Sequence, residues 1–191
     1  LDSLDPHTGF VASGRYGATA LAIWDKALLN DRDLAVAYVE ATADTALSEL
    51  PIARLLRTVA RDGDTVAHVN KNLYAILMPG QLEGTDLTNR LSRLVALGRM
   101  AATDLAASGP IHFRIVASCN AVFVGPWPQL DARLRAKLHE PKGWSRKSIR
   151  YLRMPKQNES QPESGLASPS QLSQMWDAAT KESARLDAAK A

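Results

Sequence analysis

Cysteine is nearly absent. Cys119 stands alone in 191 residues, so no intramolecular disulfide can form and no cysteine-based zinc site can assemble. Histidine is scarce as well: His7, His68, His112 and His139 show neither an i, i+4 pair nor an HExxH spacing, which leaves no metal-hydrolase pattern. No run approaches the roughly 18 apolar residues of a membrane span, and Leu1, Asp2 and Ser3 lack the charged-then-apolar layout of a signal peptide. The expected setting is reducing and cytoplasmic. Because the chain opens on Leu rather than Met, it reads as the cytosolic part of a larger or membrane-associated protein. Aromatic residues are few, and only Trp144 and Tyr151 fall among the basic residues near the C-terminal side, so a stacking platform for nucleic acid is not expected.

What is present is average globular usage, 46% hydrophobic and 23% charged, enough for one compact domain plus a tail. The net charge of +3 is unevenly spread. Residues 131–156 hold nine Lys/Arg against Asp131 and Glu140, a local +7 that leaves −4 on the rest of the chain. Such a segment either attracts phosphates, nucleic acid or anionic lipid, or is a solvated helix face beside acidic neighbours.

Hydrophobic spacing predicts the elements. A turn at Asp5-Pro6-His7-Thr8-Gly9-Phe10 precedes a helix ending near Leu29, with Tyr16, Ala20, Ile23, Trp24, Ala27 and Leu28 on one face. Leu34–Glu40 reads as a largely buried strand, and Ala46–Ala60 as a second helix with Pro51 tolerated only near its first turn. Thr65–Val69 and Leu73–Met78, separated by Asn70-Lys71-Asn72, carry a hairpin signature. A third helix is expected over Asp86–Ala107, one or two strands over Ile111–Val124, a charged helix over Gln129–His139 and a short extended run over Ser148–Met154. This order describes an α/β (α+β) sandwich of the ferredoxin-like, nucleotidyl-cyclase-palm type, with a central, mainly antiparallel sheet flanked by helices. Residues 1–154 form that domain. Residues 155–170, rich in Pro, Ser, Gln and Glu, read as a flexible linker. Residues 171–191 read as a frayed tail or as one amphipathic helix with Leu172, Met175, Trp176 and Ala179 on a face.

Three features in order resemble the GGDEF family, the diguanylate cyclases that make cyclic di-GMP from two GTP. Asp5-Pro6-His7-Thr8-Gly9-Phe10 is similar to the D-x-L-T-G-L turn that opens that domain. Asp64-Thr65-Val66-Ala67-His68-Val69 and Tyr74-Ala75-Ile76-Leu77-Met78-Pro79 resemble the segments that flank the signature hairpin. Arg114-Ile115-Val116-Ala117-Ser118-Cys119-Asn120-Ala121 resembles the V-T-x-S-x-G-x-A strand, so the likeness spans about residues 5–150.

The signature itself is missing: Asn70-Lys71-Asn72-Leu73-Tyr74 stands where the family has G-G-[DE]-E-F. In a cyclase the glycines let the backbone approach the nucleotide and the acidic residues bind the divalent ions. Asn70 and Lys71 carry Cβ atoms, Asn72 is neutral, and Leu73 ligates nothing. Val39-Glu40-Ala41-Thr42-Ala43-Asp44 replaces the family's D-x-D-x-F-K segment and leaves Glu40 as one carboxylate, too few for a two-metal site. The resemblance therefore implies a degenerate domain that is not an enzyme and holds no metal or cofactor.

Arg61-Asp62-Gly63-Asp64 matches the family's R-x-x-D inhibitory-site motif in its register before the hairpin. An arginine fork suits guanine O6 and N7, and a carboxylate suits N1–H and the exocyclic amine. The ligand-binding set implied for cyclic di-GMP is Arg61 and Asp64, joined by Arg90 or Arg93 from the following helix. The expected function is that of an inactive GGDEF-like receptor that acts on a protein partner or on upstream domains of the same chain, with a ligand-bridged dimer as one form. In the family this points to exopolysaccharide secretion or motility in a bacterium. The alternative is a nucleotide-free degenerate scaffold for protein interaction or dimerisation.

Overall fold

From Leu34 to Val39 every side chain is sealed from solvent on whichever sheet face it points to, so both faces of this strand must be covered. The structure, a computed structural model, describes residues 4–43, 49–81, 84–104, 109–141, 143–144 and 148–152. The linker and tail expected over 155–191 lie outside these residues, as do Asp44 and the start of the second predicted helix. The elements are α1 (Ser13–Leu29), β1 (Leu34–Thr42), α2 (Glu49–Val59), β2 (Thr65–Asn70), β3 (Leu73–Pro79), α3 (Thr85–Asp104), β4 (His112–Cys119), α4 (Trp127–His139) and β5 (Ile149–Tyr151). The five strands lie in the order β2-β3-β1-β4-β5, antiparallel except for the parallel β4–β5 pair. This is the mainly antiparallel sandwich that the sequence predicts.

The period of two along β1 sorts the core into two halves. Ala35, Ala37, Val39 and Ala41 face α2 and α3, packing with Leu56, Leu91, Leu94 and Phe113. Val36 and Tyr38 face α1 and α4, packing with Trp24, Trp127 and Leu134. On this second side Tyr16 donates to the Tyr38 hydroxyl at 2.6 Å, Tyr38 donates to Asp131, and Arg135 Nε reaches both Asp131 oxygens at 3.0 Å. Burial raises both phenol pKa values, and the chain of bonds satisfies the buried hydroxyls.

Two predictions are refined. β4 stops at Cys119 rather than running on to Val124: Asn120 N still donates to Leu34 O at 3.0 Å, but the Asn120 side chain closes the ladder, its Oδ1 accepting from Leu34 N at 3.0 Å and its Nδ2 donating to Arg32 O at 2.6 Å. Phe123 N then bonds back to Cys119 O at 3.0 Å, closing a turn. α4 begins at Trp127, two residues earlier than expected, since Pro128 fits a first helical turn. Among the described residues of the basic segment, Arg135 pairs with Asp131 and both Lys137 and Arg150 pair with Glu140, while Arg133 lies over the Phe123 ring at 5.2 Å. Among the described residues no helix is long and apolar enough to cross a membrane.

Candidate functional site

The Arg61-Asp62-Gly63-Asp64 segment joins α2 to β2 as a tight turn. Asp64 N donates to Arg61 O at 3.0 Å, and Arg61 N donates to Asp64 Oδ2 at 2.8 Å. Gly63 takes φ +91°, a left-handed conformation that a side chain would strain. From beneath, Arg90 of α3 pairs with the Asp64 carboxylate. The same guanidinium donates to Val59 O at 3.0 and 3.3 Å and to Gln81 Oε1 at 3.3 Å, so it caps the C-terminus of α2, where a cation is favoured.

Burial separates the four predicted residues. The Asp64 and Arg90 side chains are only 4% and 10% exposed, whereas Arg61 is 57% exposed. Arg93 is also exposed, one turn beyond Arg90 and outside this set of bonds. Arg61, Asp64 and Arg90 are thus brought together, but only Arg61 offers its fork to solvent. Its neighbour there is Asp86, in the first turn of α3, whose Oδ1 accepts from Arg61 Nη2 at 3.0 Å. Asp86 is 56% exposed, and the Arg61 hydrogen bond holds its carboxyl below the usual range, with Gln81 and Arg90 assisting. Sequence reasoning missed Asp86 and Gln81. The only trace of Asp86 was an acidic residue at a helix start, a pattern too common to mark a site. On the other side of the turn a cavity of about 660 Å³ opens between Gly63, Thr65, Lys26, Arg32 and Gly80, a volume within the range of small-molecule sites.

The hairpin is formed, with Asn70 and Lys71 exposed at its tip. Ala41 N donates to Asn72 O at 2.9 Å, Leu73 is buried, and Tyr74 stacks on His68 at 5.0 Å with Phe10 at its edge. Burial pushes the Tyr74 phenol up to about 12, with Glu49 and Asp5 adding to the shift. Glu40 stands opposite Arg114 in the β1–β4 register and accepts from Arg114 Nε at 2.7 Å. Among the described residues no group of three or more His, Cys, Asp or Glu could hold a metal ion. The opening turn is a clasp: Asp5 Oδ1 accepts from Thr8 N at 2.7 Å and Thr8 Oγ1 at 2.8 Å, while Arg57 bonds Thr8 O and covers Phe10.

Comparison of this architecture with solved structures decides the fold. The GGDEF domain of DgcB from Caulobacter crescentus, solved in complex with c-di-GMP, superposes with a TM-score of 0.60 over 79% of this chain and 96% of that one, at 12% identity. The fold is that of a GGDEF domain. The FimX GGDEF domain from Pseudomonas aeruginosa gives a TM-score of 0.63 over 80% of this chain and all of that one, at 17% identity. The diguanylate cyclase SiaD from the same organism, solved with its activator SiaC, gives 0.65 at 15% identity, with 79% of this chain covering 62% of that one. No protein-family model matches the sequence, and no curated protein does. The GGDEF likeness is one of backbone.

Proposed function

We propose that this chain is a catalytically inactive GGDEF-like domain that binds cyclic di-GMP through the turn carrying Arg61 and signals ligand state to a protein partner or to other domains of its own protein. The observation that carries the reading is the contrast within the turn. Arg61 presents an exposed fork, while the buried Asp64–Arg90 pair fixes the backbone beneath it. An arginine held on a rigid turn is suited to the O6 and N7 acceptors of guanine, and Arg93 is exposed on the adjacent helix to meet a phosphate or a second base. Support comes also from DgcB, whose GGDEF domain of this fold was solved with c-di-GMP. Inactivity is supported by the Asn70-Lys71-Asn72-Leu73 tip and by Glu40, which is occupied by Arg114.

A nucleotide-free interaction scaffold is the second reading, favoured by the Arg61–Asp86 pair, which closes the site on itself. Calorimetric titration with cyclic di-GMP separates the two. Binding is expected, and Arg61→Ala should lose about 1–3 kcal/mol, roughly five- to 150-fold in affinity. Arg61→Lys should do nearly as badly, because an ammonium has no planar fork. Absence of binding leaves the scaffold reading standing, and unchanged affinity in folded Arg61→Ala removes the ligand from this turn.

A further inference from the structure

We propose that Asp86, rather than the aspartate of the R-x-x-D turn, is the carboxylate that reads the Watson–Crick edge of the guanine whose Hoogsteen edge is taken by Arg61. The inference rests on the receptor reading above and assigns its specificity to a residue on a different element.

A carboxylate that reads guanine must offer its oxygens to N1–H and to the exocyclic amine at the same time. Asp64 is badly placed for this. Its side chain is 4% exposed, and its Oδ2 already accepts from Arg61 N and pairs with Arg90. Turning it toward a ligand would strand the buried Arg90 charge, a far larger loss than one hydrogen bond returns. Asp86 has the opposite surroundings. It is 56% exposed, stands on the rigid first turn of α3, and lies one hydrogen bond from the Arg61 fork. The Arg61 hydrogen bond, with Gln81 and Arg90 assisting, holds its carboxyl below the usual range.

The Arg61–Asp86 bond joins two solvated side chains, so it opens at small cost. A guanine that enters between them meets a donor fork on its O6/N7 side and an acceptor pair on its N1/N2 side. These are the two edges that distinguish guanine from the other bases. In the free chain Asp86 fills the arginine fork. In the complex the base separates the two groups and satisfies both. Asp62, exposed in the same turn, carries the same charge without the anchoring and serves as the control for simple electrostatics.

The test is calorimetric titration of the full chain with cyclic di-GMP and with cyclic di-IMP, whose hypoxanthine bases lack the exocyclic amine. Wild type should prefer the guanine ligand. Asp86→Ala should weaken cyclic di-GMP binding about five- to 150-fold and reduce the preference over cyclic di-IMP, and Asp86→Asn should fail to restore either. Asp62→Ala should leave both intact, and Asp64→Asn, compared at equal folded fraction, should keep the guanine preference. If Asp86→Ala binds as tightly as wild type or tighter, or if Asp62→Ala loses as much, the assignment is overturned and the receptor reading stands. A wild-type chain that binds neither dinucleotide overturns both.

Discussion

Arg61 and Asp64 share a turn, yet one is solvated and the other is sealed, and their substitutions should therefore be read by different measurements. Asp64→Ala removes the partner of a guanidinium that is 10% exposed. Arg90 keeps its bonds to Val59 O and Gln81, so the expected destabilisation is about 3 kcal/mol, at the low end for a broken buried pair, seen as a lower midpoint in urea unfolding. Arg61→Ala should leave that midpoint within about 0.5 kcal/mol of wild type, because an exposed pair contributes little. A midpoint unmoved by Asp64→Ala would show that the carboxylate does not hold the turn.

Tyr74 allows a second single-residue test, with the sign set by its environment. The folded phenol titrates at about 12 instead of its ordinary 10, because burial disfavours the phenolate. A raised folded value means that this stability is complete below pH about 10 and is lost as pH climbs toward 12, while the unfolded chain ionises first. Urea unfolding between pH 9 and about 11.5 should show stability falling, and Tyr74→Phe should make that fall shallower, the remainder belonging to the buried Tyr16 and Tyr38. At neutral pH the same variant should be neutral or slightly stabilising, since the hydroxyl is buried without a hydrogen-bond partner among the described residues. An undiminished alkaline slope in Tyr74→Phe would assign the effect to other groups, Tyr16 and Tyr38 first.

Between elements, α3 approaches β4 closely at Gly98. Ile111 N donates to Gly98 O at 2.9 Å, and a Cβ on Gly98 would come within 2.5 Å of Ile111 O and 2.6 Å of the Phe113 ring. Helix propensity alone would reward Gly98→Ala by about 1 kcal/mol. The clash with a backbone oxygen and a buried ring should reverse that sign, giving a net loss of about 1–3 kcal/mol in urea unfolding. A stabilised variant would mean that α3 slides on the sheet at little cost. Because α3 also carries Arg90 and Asp86, a shift at Gly98 should weaken cyclic di-GMP binding as well, although the residue touches no candidate ligand group.

For the whole molecule, the proposed inactivity rests on two separate places. At the hairpin Asn70-Lys71-Asn72-Leu73 stands where the resemblance would put glycines and acidic residues, and on β1 Glu40 is paired with Arg114. Incubation with GTP and Mg²⁺ or Mn²⁺ should therefore yield no cyclic di-GMP above a protein-free control. Product that disappears in Glu40→Ala would overturn this expectation, and would mean that the Arg114 pair opens to admit an ion.

Much of the fold was legible from the residues alone, because it depends on short-range patterning. The unbroken apolar run from Leu34 to Val39 specifies a strand buried on both faces, and the alternation of helices with a hairpin specifies which layers cover it. The R-x-x-D turn and the altered hairpin tip lie within ten residues of each other, so their register could be counted. What the chain alone did not disclose is which charges meet. Arg61 reaches Asp86 across 25 residues, Arg90 reaches Asp64 across 26, and Arg114 reaches Glu40 across 74. Those pairings follow from sheet register and helix packing, which are set by the fit of the core and not by any property of the charged residues. The same packing seals Asp64 and leaves Asp86 in solvent, and so decides which carboxylate a ligand can reach.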